Sequence, residues 1–362
     1  MTNQFKILYK ICIVLLAVLA TMAMGAVILI AIGAPVMKTY AVIIFQPLQN
    51  IGLISEVLIR TIPLTIIALG IAVAYRSGII NIGAEGQMAM GILATTAVAL
   101  AVPTLPKVIL LPLVLLAGIA GGALWGAIPG LLKAKLQVSE LLSTVMLNYI
   151  AEQFYTFCLR KPMLDPAEMT TGSGTPQSMR LTKNIWLTRF IPGTRLHTGI
   201  FIAIGFAILI YLLLWKTPFG YKMRAAGSSE RAARYGGINV AKYLVIAMLF
   251  SGGFAGLAGA VEICGVHHRA IQGITSGYGF SGIVVALFGG LHPAGIIPAA
   301  FFFGLLLVGG NMTQNAVGVP ANMVQVLQGV IILVIVATQM VLSNAYLMER
   351  VWKKTRRKEV AA

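Results

Sequence analysis

Apolar residues run in long blocks along this chain, separated by short clusters of glycine, proline and charge. A helix needs about 20 apolar residues to cross a bilayer. By that length the blocks predict ten spans, at residues 11–33, 51–75, 78–101, 108–132, 138–158, 198–215, 242–263, 276–291, 294–313 and 321–342. The third and eighth are broken by glycine and polar residues, and the eighth reads equally as a pair of half-helices. Split into 1–158 and 198–342, the spans form two halves of five. Five is odd, so the halves enter the membrane with opposite orientation, and the broken third span corresponds to the broken eighth. Glycine-broken segments at matching places in inverted halves point to a transport site near the bilayer midplane. Sequence similarity between the halves is low, so this repeat rests on hydropathy and topology. The expectation is an all-α integral membrane protein. A single polytopic domain covers 1–342, with a loop at 159–197, another at 216–241 and a basic tail at 343–362.

Composition agrees with the pattern. Hydrophobic residues make up 58% of the 362, charged residues 10%, and mean hydropathy is +0.90. Soluble domains carry about a quarter charged residues. The net charge of +17 does not point to nucleic acid, because the basic residues lie between apolar blocks and at the chain ends. With the N-terminus inside, most of them collect on the inner side, as the positive-inside rule requires. Both termini are then cytoplasmic, and Trp215 and Trp352 sit at inner boundaries as interfacial anchors. The loop 159–197, with MTTGSGTPQS inside it, reads as an irregular extracytoplasmic cap. The first block, Ile11–Gly33, is too long for a signal-peptide core and reads as a retained helix. Cys12, Cys158 and Cys264 fall in or beside apolar blocks without ligand spacing, so neither a disulfide framework nor a metal site is expected.

The stretch Arg76–Gly91, RSGIINIGAEGQMAMG, is the most polar part of any block. Irregular polar backbone survives in hydrocarbon only where it lines a cavity or faces other protein. Asn81, Glu85 and Gln87 therefore mark a broken helix beside a solute pathway; the alternative is that they cap and join neighbouring helices. Along the fifth block, Glu140, Ser143, Asn148 and Glu152 form a polar stripe directed at the interior or at a partner subunit. Glu140 could instead pair with Lys133 or Lys135. Amides at Asn81, Gln87, Asn148, Asn311 and Gln314 could contact a neutral solute without a fixed counter-charge, and do not identify it. No HExxH, GxSxG or Cys/His pattern accompanies the carboxylates, and the adjacent His267–His268 pair is poorly spaced for chelation, so catalysis is not expected.

The inner loop carries a second signal. Ser228 or Ser229 can cap a short helix containing Glu230, Arg231, Ala232, Ala233, Arg234 and Tyr235, which Gly236–Gly237 ends. This reads as a docking element on the cytoplasmic surface, against the plainer alternative of a basic loop.

NIGAEGQ (Asn81–Gln87), SELLSTVMLNYIA (Ser139–Ala151) and SSERAARYGGI (Ser228–Ile238) resemble the permease subunits of bacterial ABC importers. The group is that of ribose and branched-chain amino acid permeases, and NIGAEGQ resembles its nucleoside branch. The resemblance runs from about residue 50 to 342, with the three stretches in family order. It implies two permease subunits side by side, the second often a different chain. Two cytoplasmic ATPases and an extracytoplasmic solute-binding protein complete such a system in the bacterial inner membrane. The match at Ser228–Gly236 implies a coupling helix seated on an ATPase. ATP would be hydrolysed by the partners, with no cofactor on this chain, in keeping with the absence of GxxxxGK[ST]. Ribose or branched-chain amino acids remain alternative solutes. A stand-alone ion-driven transporter, with Glu85 or Glu262 as relay, remains an alternative mechanism.

Overall fold

The computed structural model describes residues 3–168, 172, 174–319 and part of 323–338. Among them the regular elements are helical, with three isolated bridges and no strand. The expected tenth span lies largely outside the described residues, and the basic tail wholly so. The chain divides into two compact units, residues 51–304 and residues 1–50 with 305–362. In the second of these, α1 (Asn3–Ala31) is followed by a short helix α2 (Val36–Ile44) that hydropathy alone did not predict. Leu29 of α1 and Ile43 of α2 join Leu306 and Val319 in a small apolar core.

The larger unit holds the remaining elements. Its long helices are α3 (Ile51–Arg76), α4 (Ala84–Ala101), α5 (Lys107–Leu136) and α6 (Glu140–Arg160). They are followed by α7 (Gly199–Lys216), the short α8 (Pro218–Ser228) and α9 (Glu230–Tyr235), α10 (Val240–Glu262), α11 (Tyr278–Phe288) and α12 (Pro293–Val317), which runs past residue 304. A π turn, Ile263–His267, extends α10. Among the described residues six helices are long and apolar enough to cross a membrane: α3, α4, α5, α7, α10 with its π turn, and α12. The chain is an integral membrane protein. The expected fifth span, now α6, has the length but not the apolarity, because its stripe of Glu, Ser, Thr and Asn lowers its hydropathy.

The first helix begins at Asn3, ahead of the expected residue 11, and two later spans also differ in their boundaries. The third begins at Ala84, not 78, because residues 77–83 leave the helical path. The eighth shrinks to the 11 residues of α11, about 16 Å at 1.5 Å each, roughly half the hydrocarbon thickness. The turn from Gln272 to Gly277 consumes its start, and Gly277 takes φ +77.

The core of this unit is a crossing of α4, α5 and α10 on small residues. On α5, Gly118, Gly122 and Gly126 recur every fourth residue; they meet Gly252 and Gly256 of α10, while Gly91 of α4 meets Gly256. Without side chains between them the backbones touch directly, the usual way to pack helices where lipid is as apolar as leucine.

The loop between α6 and α7 is irregular and folds into a packed cap. Leu181, Ile185, Leu187 and Leu196 are buried in it, and it hydrogen-bonds along the chain after α10, with Leu187 N–H on Cys264 O and Leu181 N–H on His268 O. Arg195 of the cap grips Glu56 near the start of α3 through two bonds of 2.9 and 2.6 Å. The cap and the α8–α9 hairpin therefore lie at opposite ends of α3.

Against the cap, His268 from the chain after α10 stacks on Trp186 at 3.9 Å, and Arg180 lies over the same indole. Neither nitrogen of His268 has a hydrogen-bond partner. Burial, aided by the positive charges of Arg189 and Arg180, pushes its pKa down to about 4. Burial also holds His197 at about 4. Both rings are neutral when folded, whereas the unfolded chain takes up their protons below about 6.5. Stability therefore falls as pH drops from about 6.5 towards 4. Thermal unfolding should show a melting temperature that declines over this range, and less steeply in His268→Asn, which keeps a residue tolerant of the local φ of 57°.

Candidate functional site: the break between α3 and α4

Helix α3 ends in a Schellman cap: Ile79 N–H bonds Ala74 O, Gly78 N–H bonds Tyr75 O, and Gly78 has φ +83. The chain then crosses the interior as irregular backbone to Ala84. Its polar groups need partners there, and the residues singled out in the sequence supply them. Asn81 uses its whole amide: Nδ2 donates to Gln87 Oε1 at 2.7 Å and Ser251 Oγ at 2.8 Å, while Oδ1 accepts from Gly83 N at 2.9 Å and Gln87 Nε2 at 3.1 Å. Asn148 of α6 clamps the same segment, accepting from Gly86 N and donating to Ile82 O, both at 2.9 Å. All three amides are buried. In this conformation the knot joins α4, α6 and α10, and Asn81 has no bonding capacity left for a solute.

Glu85 has a different task. One oxygen accepts from Gly277 N at 2.9 Å and the other from Gly279 N at 2.7 Å, at the N-terminus of α11. Glu85 also lies in the first turn of α4. The two helix starts abut so closely that a Cβ on Gly279 would overlap the Glu85 backbone. Each N-terminus carries about half a positive charge, so one carboxylate between them offsets both. A second side chain holds α11, since Arg60 of α3 donates to Tyr278 Oη at 2.7 Å. Arg60, Tyr278 and Ser251 were not singled out in the sequence. A lone arginine inside an otherwise apolar block was the available signal for Arg60.

The remaining predicted path residues are not brought to the knot. Glu140 pairs with Lys133 at 2.9 Å, as the sequence allowed. Ser143, Thr144, Asn148, Ala151 and Tyr155 form the buried face of α6, and Glu152 falls off it onto an exposed side. There it lines an open polar cleft of about 350 Å³ with Gln153, Thr156, Arg160 and Gln272. Asn311 and Gln314 are exposed on α12. Glu262 is buried with His267 Nε2 at 3.4 Å. Among the described residues no cluster of histidine, cysteine or carboxylate could hold a metal ion.

The α8–α9 hairpin has the caps expected of it. Ser229 is the N-cap of α9 and accepts from Ala232 N at 3.4 Å; Gly236 is the C-cap, and Gly237 follows at φ +76. Ala233 is buried, Arg231, Ala232 and Arg234 are exposed, and Tyr235 is 98% exposed. The sequence did not predict α8 as a helix. Thr217 caps it, and its Gly227 packs directly on the backbone of Arg76, Ser77 and Gly78. The hairpin thus touches the foot of the segment that carries Asn81.

Residues 53–336 match the family described as branched-chain amino acid transport system / permease component. A glucose ABC transporter permease protein of Haloferax volcanii is 34% identical over 90% of this chain and 86% of its own length. A guanosine ABC transporter permease protein of Bacillus subtilis is 34% identical, covering 92% and 95%. A nucleoside ABC transporter permease protein of Lactococcus lactis is 32% identical, covering 89% and 90%.

Proposed function

The chain belongs to this permease family, and from that premise we propose that it is the membrane subunit of an ATP-driven importer for nucleosides or related sugar-like solutes. An ABC permease works with an ATPase and a substrate-binding protein. In our reading there are two ATPases and a second, different permease chain. The membrane is the bacterial inner membrane, with both termini cytoplasmic, and no chemistry occurs on this chain.

The observation that carries the mechanism is the contact of Gly227 with Arg76–Gly78. An ATPase that moves α9 moves α8, and α8 bears on the foot of the broken segment. The segment is tied to α4, α6 and α10 by the amide knot, and α4 holds α11 through Glu85. The exposed Arg231, Arg234 and Tyr235 form the docking face. Abutting N-termini of α4 and the half-length α11 support an inverted pair of five-helix halves meeting at the midplane. Glu85, engaged by two backbone N–H groups, acts as a cap between these helices, not as a proton relay.

The test is reconstitution with candidate ATPases, second permease and binding protein, following ATP hydrolysis with nucleosides, ribose, glucose and leucine. Nucleosides should stimulate it; stimulation by leucine or ribose alone would replace the solute, and failure to assemble with any ATPase would end the importer reading. In the same assay Tyr235→Ala should cost about 2 kcal/mol of ATPase docking, roughly thirtyfold in affinity. Unchanged coupling in Tyr235→Ala and Arg231→Ala would refute the role of α9.

A further inference from the structure

On the side of α3 that faces the hairpin, two arginines flank one indole. Arg76, the last residue of α3, lies 5.5 Å from the Trp215 ring, and Arg224 of α8 lies 5.8 Å from it. Among the described residues no carboxylate pairs with either guanidinium; the ion pairs present are Lys133–Glu140, Arg195–Glu56, Arg234–Glu230 and His267–Glu262. Arg76 spends Nε and Nη2 on the carbonyls of Leu291 and Gly290, at 3.2 and 3.1 Å, which leaves three of its five N–H groups. The Nε of Arg224 is buried without any hydrogen-bond partner. His292 packs against Trp215 at 4.7 Å, and its Nδ1 accepts from Ala294 N, which leaves Nε2 as a further donor. Two uncompensated cations and a donor around a half-buried aromatic platform form a cradle for a doubly coordinated oxyanion.

The helix that carries Trp215 indicates where the anion comes from. Phe201, Ile204, Ile208 and Leu212 are exposed along α7 at helical spacing, and the stripe ends at Trp215. An acyl chain lying on that stripe brings its headgroup to the indole and the arginines. We propose that the Arg76–Trp215–Arg224 cleft holds the phosphate of an anionic phospholipid, with the acyl chain on α7. The site needs only that the chain spans a membrane, and stands or falls separately from the importer reading. Because Arg76 begins the broken segment and Arg224 lies on α8, a bound headgroup would brace the joint between hairpin and break.

The experiment uses the full chain in detergent, titrated with phosphatidylglycerol, phosphatidylcholine or inorganic phosphate, with thermal unfolding and native mass spectrometry as readouts. Phosphatidylglycerol should raise the melting temperature and stay bound where phosphatidylcholine does not. Arg224→Gln should weaken its apparent affinity about fivefold, and Arg224→Lys should restore most of it. Lys222→Gln, an exposed charge on the same helix, should leave it unchanged. If Arg224→Gln does not fold, Trp215→Leu replaces it, with the same expected loss. Equal response to both lipids, or an unaltered phosphatidylglycerol response in the variants, overturns the proposal. A matching stabilisation by inorganic phosphate alone, lost in Arg224→Gln, makes this a free-phosphate site and overturns the lipid assignment.

Discussion

Gly256→Leu should leave no folded protein to purify. A Cβ at this position would overlap the carbonyl oxygen of Gly118 and press on the Cα of Gly122, both main-chain atoms of α5. Overpacking in a core usually costs about 1–3 kcal/mol because side chains can turn aside. Here the obstacle is backbone against backbone, and Gly91 of α4 meets Gly256 from another direction. Relief requires moving α10 away from α5, which forfeits the backbone packing at the crossing. The cost should exceed ~3 kcal/mol, a large share of the roughly 5–15 kcal/mol by which proteins are stable. The measurement is the yield of monodisperse protein by size-exclusion chromatography in detergent. Gly205→Leu is the control, since a side chain at this α7 position meets nothing within 4 Å. Comparable yields from the two variants would show that the glycine crossing does not hold the unit together.

Much of the scaffold was legible because it depends on local signals. The apolar blocks located α3, α5, α7 and α10 to within a few residues, since a membrane helix needs only length and apolarity. The α9 helix was legible from one capping serine and one glycine pair. The sequence grouped Asn81, Gln87 and Asn148 with Asn311 and Gln314 as amides for a solute; the structure joins the first three and leaves the other two exposed on α12. Partners across the fold were not legible. Ser251 is 170 residues from Asn81, and Tyr278 is 218 from Arg60. No periodicity within one helix reports on such distances.

The orientation of individual helices was equally out of reach. Glu152 continues the spacing of Glu140 and Asn148, yet burial of Ala151 and Tyr155 turns α6 so that it faces outward. The every-fourth glycines of α5 were visible in the sequence, and they were the available signal for the crossing that carries the unit. The sequence left two readings of these amides open, a solute path and the joining of neighbouring helices, and the hydrogen bonds favour the second for Asn81 and Asn148. A chain that breaks a helix inside a membrane must satisfy the broken backbone before it can offer anything to cargo. Asn81 and Asn148 meet that demand, so solute contact by either would require the knot to rearrange.

Glu85→Ala should reduce uptake at least tenfold while the protein still folds. The substitution strips two charge-assisted bonds from Gly277 and Gly279, each worth ~1.5–3 kcal/mol, and leaves two facing helix N-termini without a counter-charge. Arg60 still holds Tyr278, and the amide knot still holds α4, so the loss concentrates on the start of α11. Hydrogen exchange should rise at the amides of residues 277–281 and not at 81–87. Glu85→Gln separates a cap from a proton relay. Glutamine keeps the length and one acceptor oxygen, so a cap retains part of its hold, and uptake should fall between wild type and alanine. A relay, by contrast, cannot work with an amide at any pH, and Glu85→Gln would then be as inactive as Glu85→Ala. Equal inactivity, with exchange at 277–281 unchanged in both, would return Glu85 to the role of proton carrier; a graded loss with faster exchange makes it the carboxylate on which the two helix N-termini close.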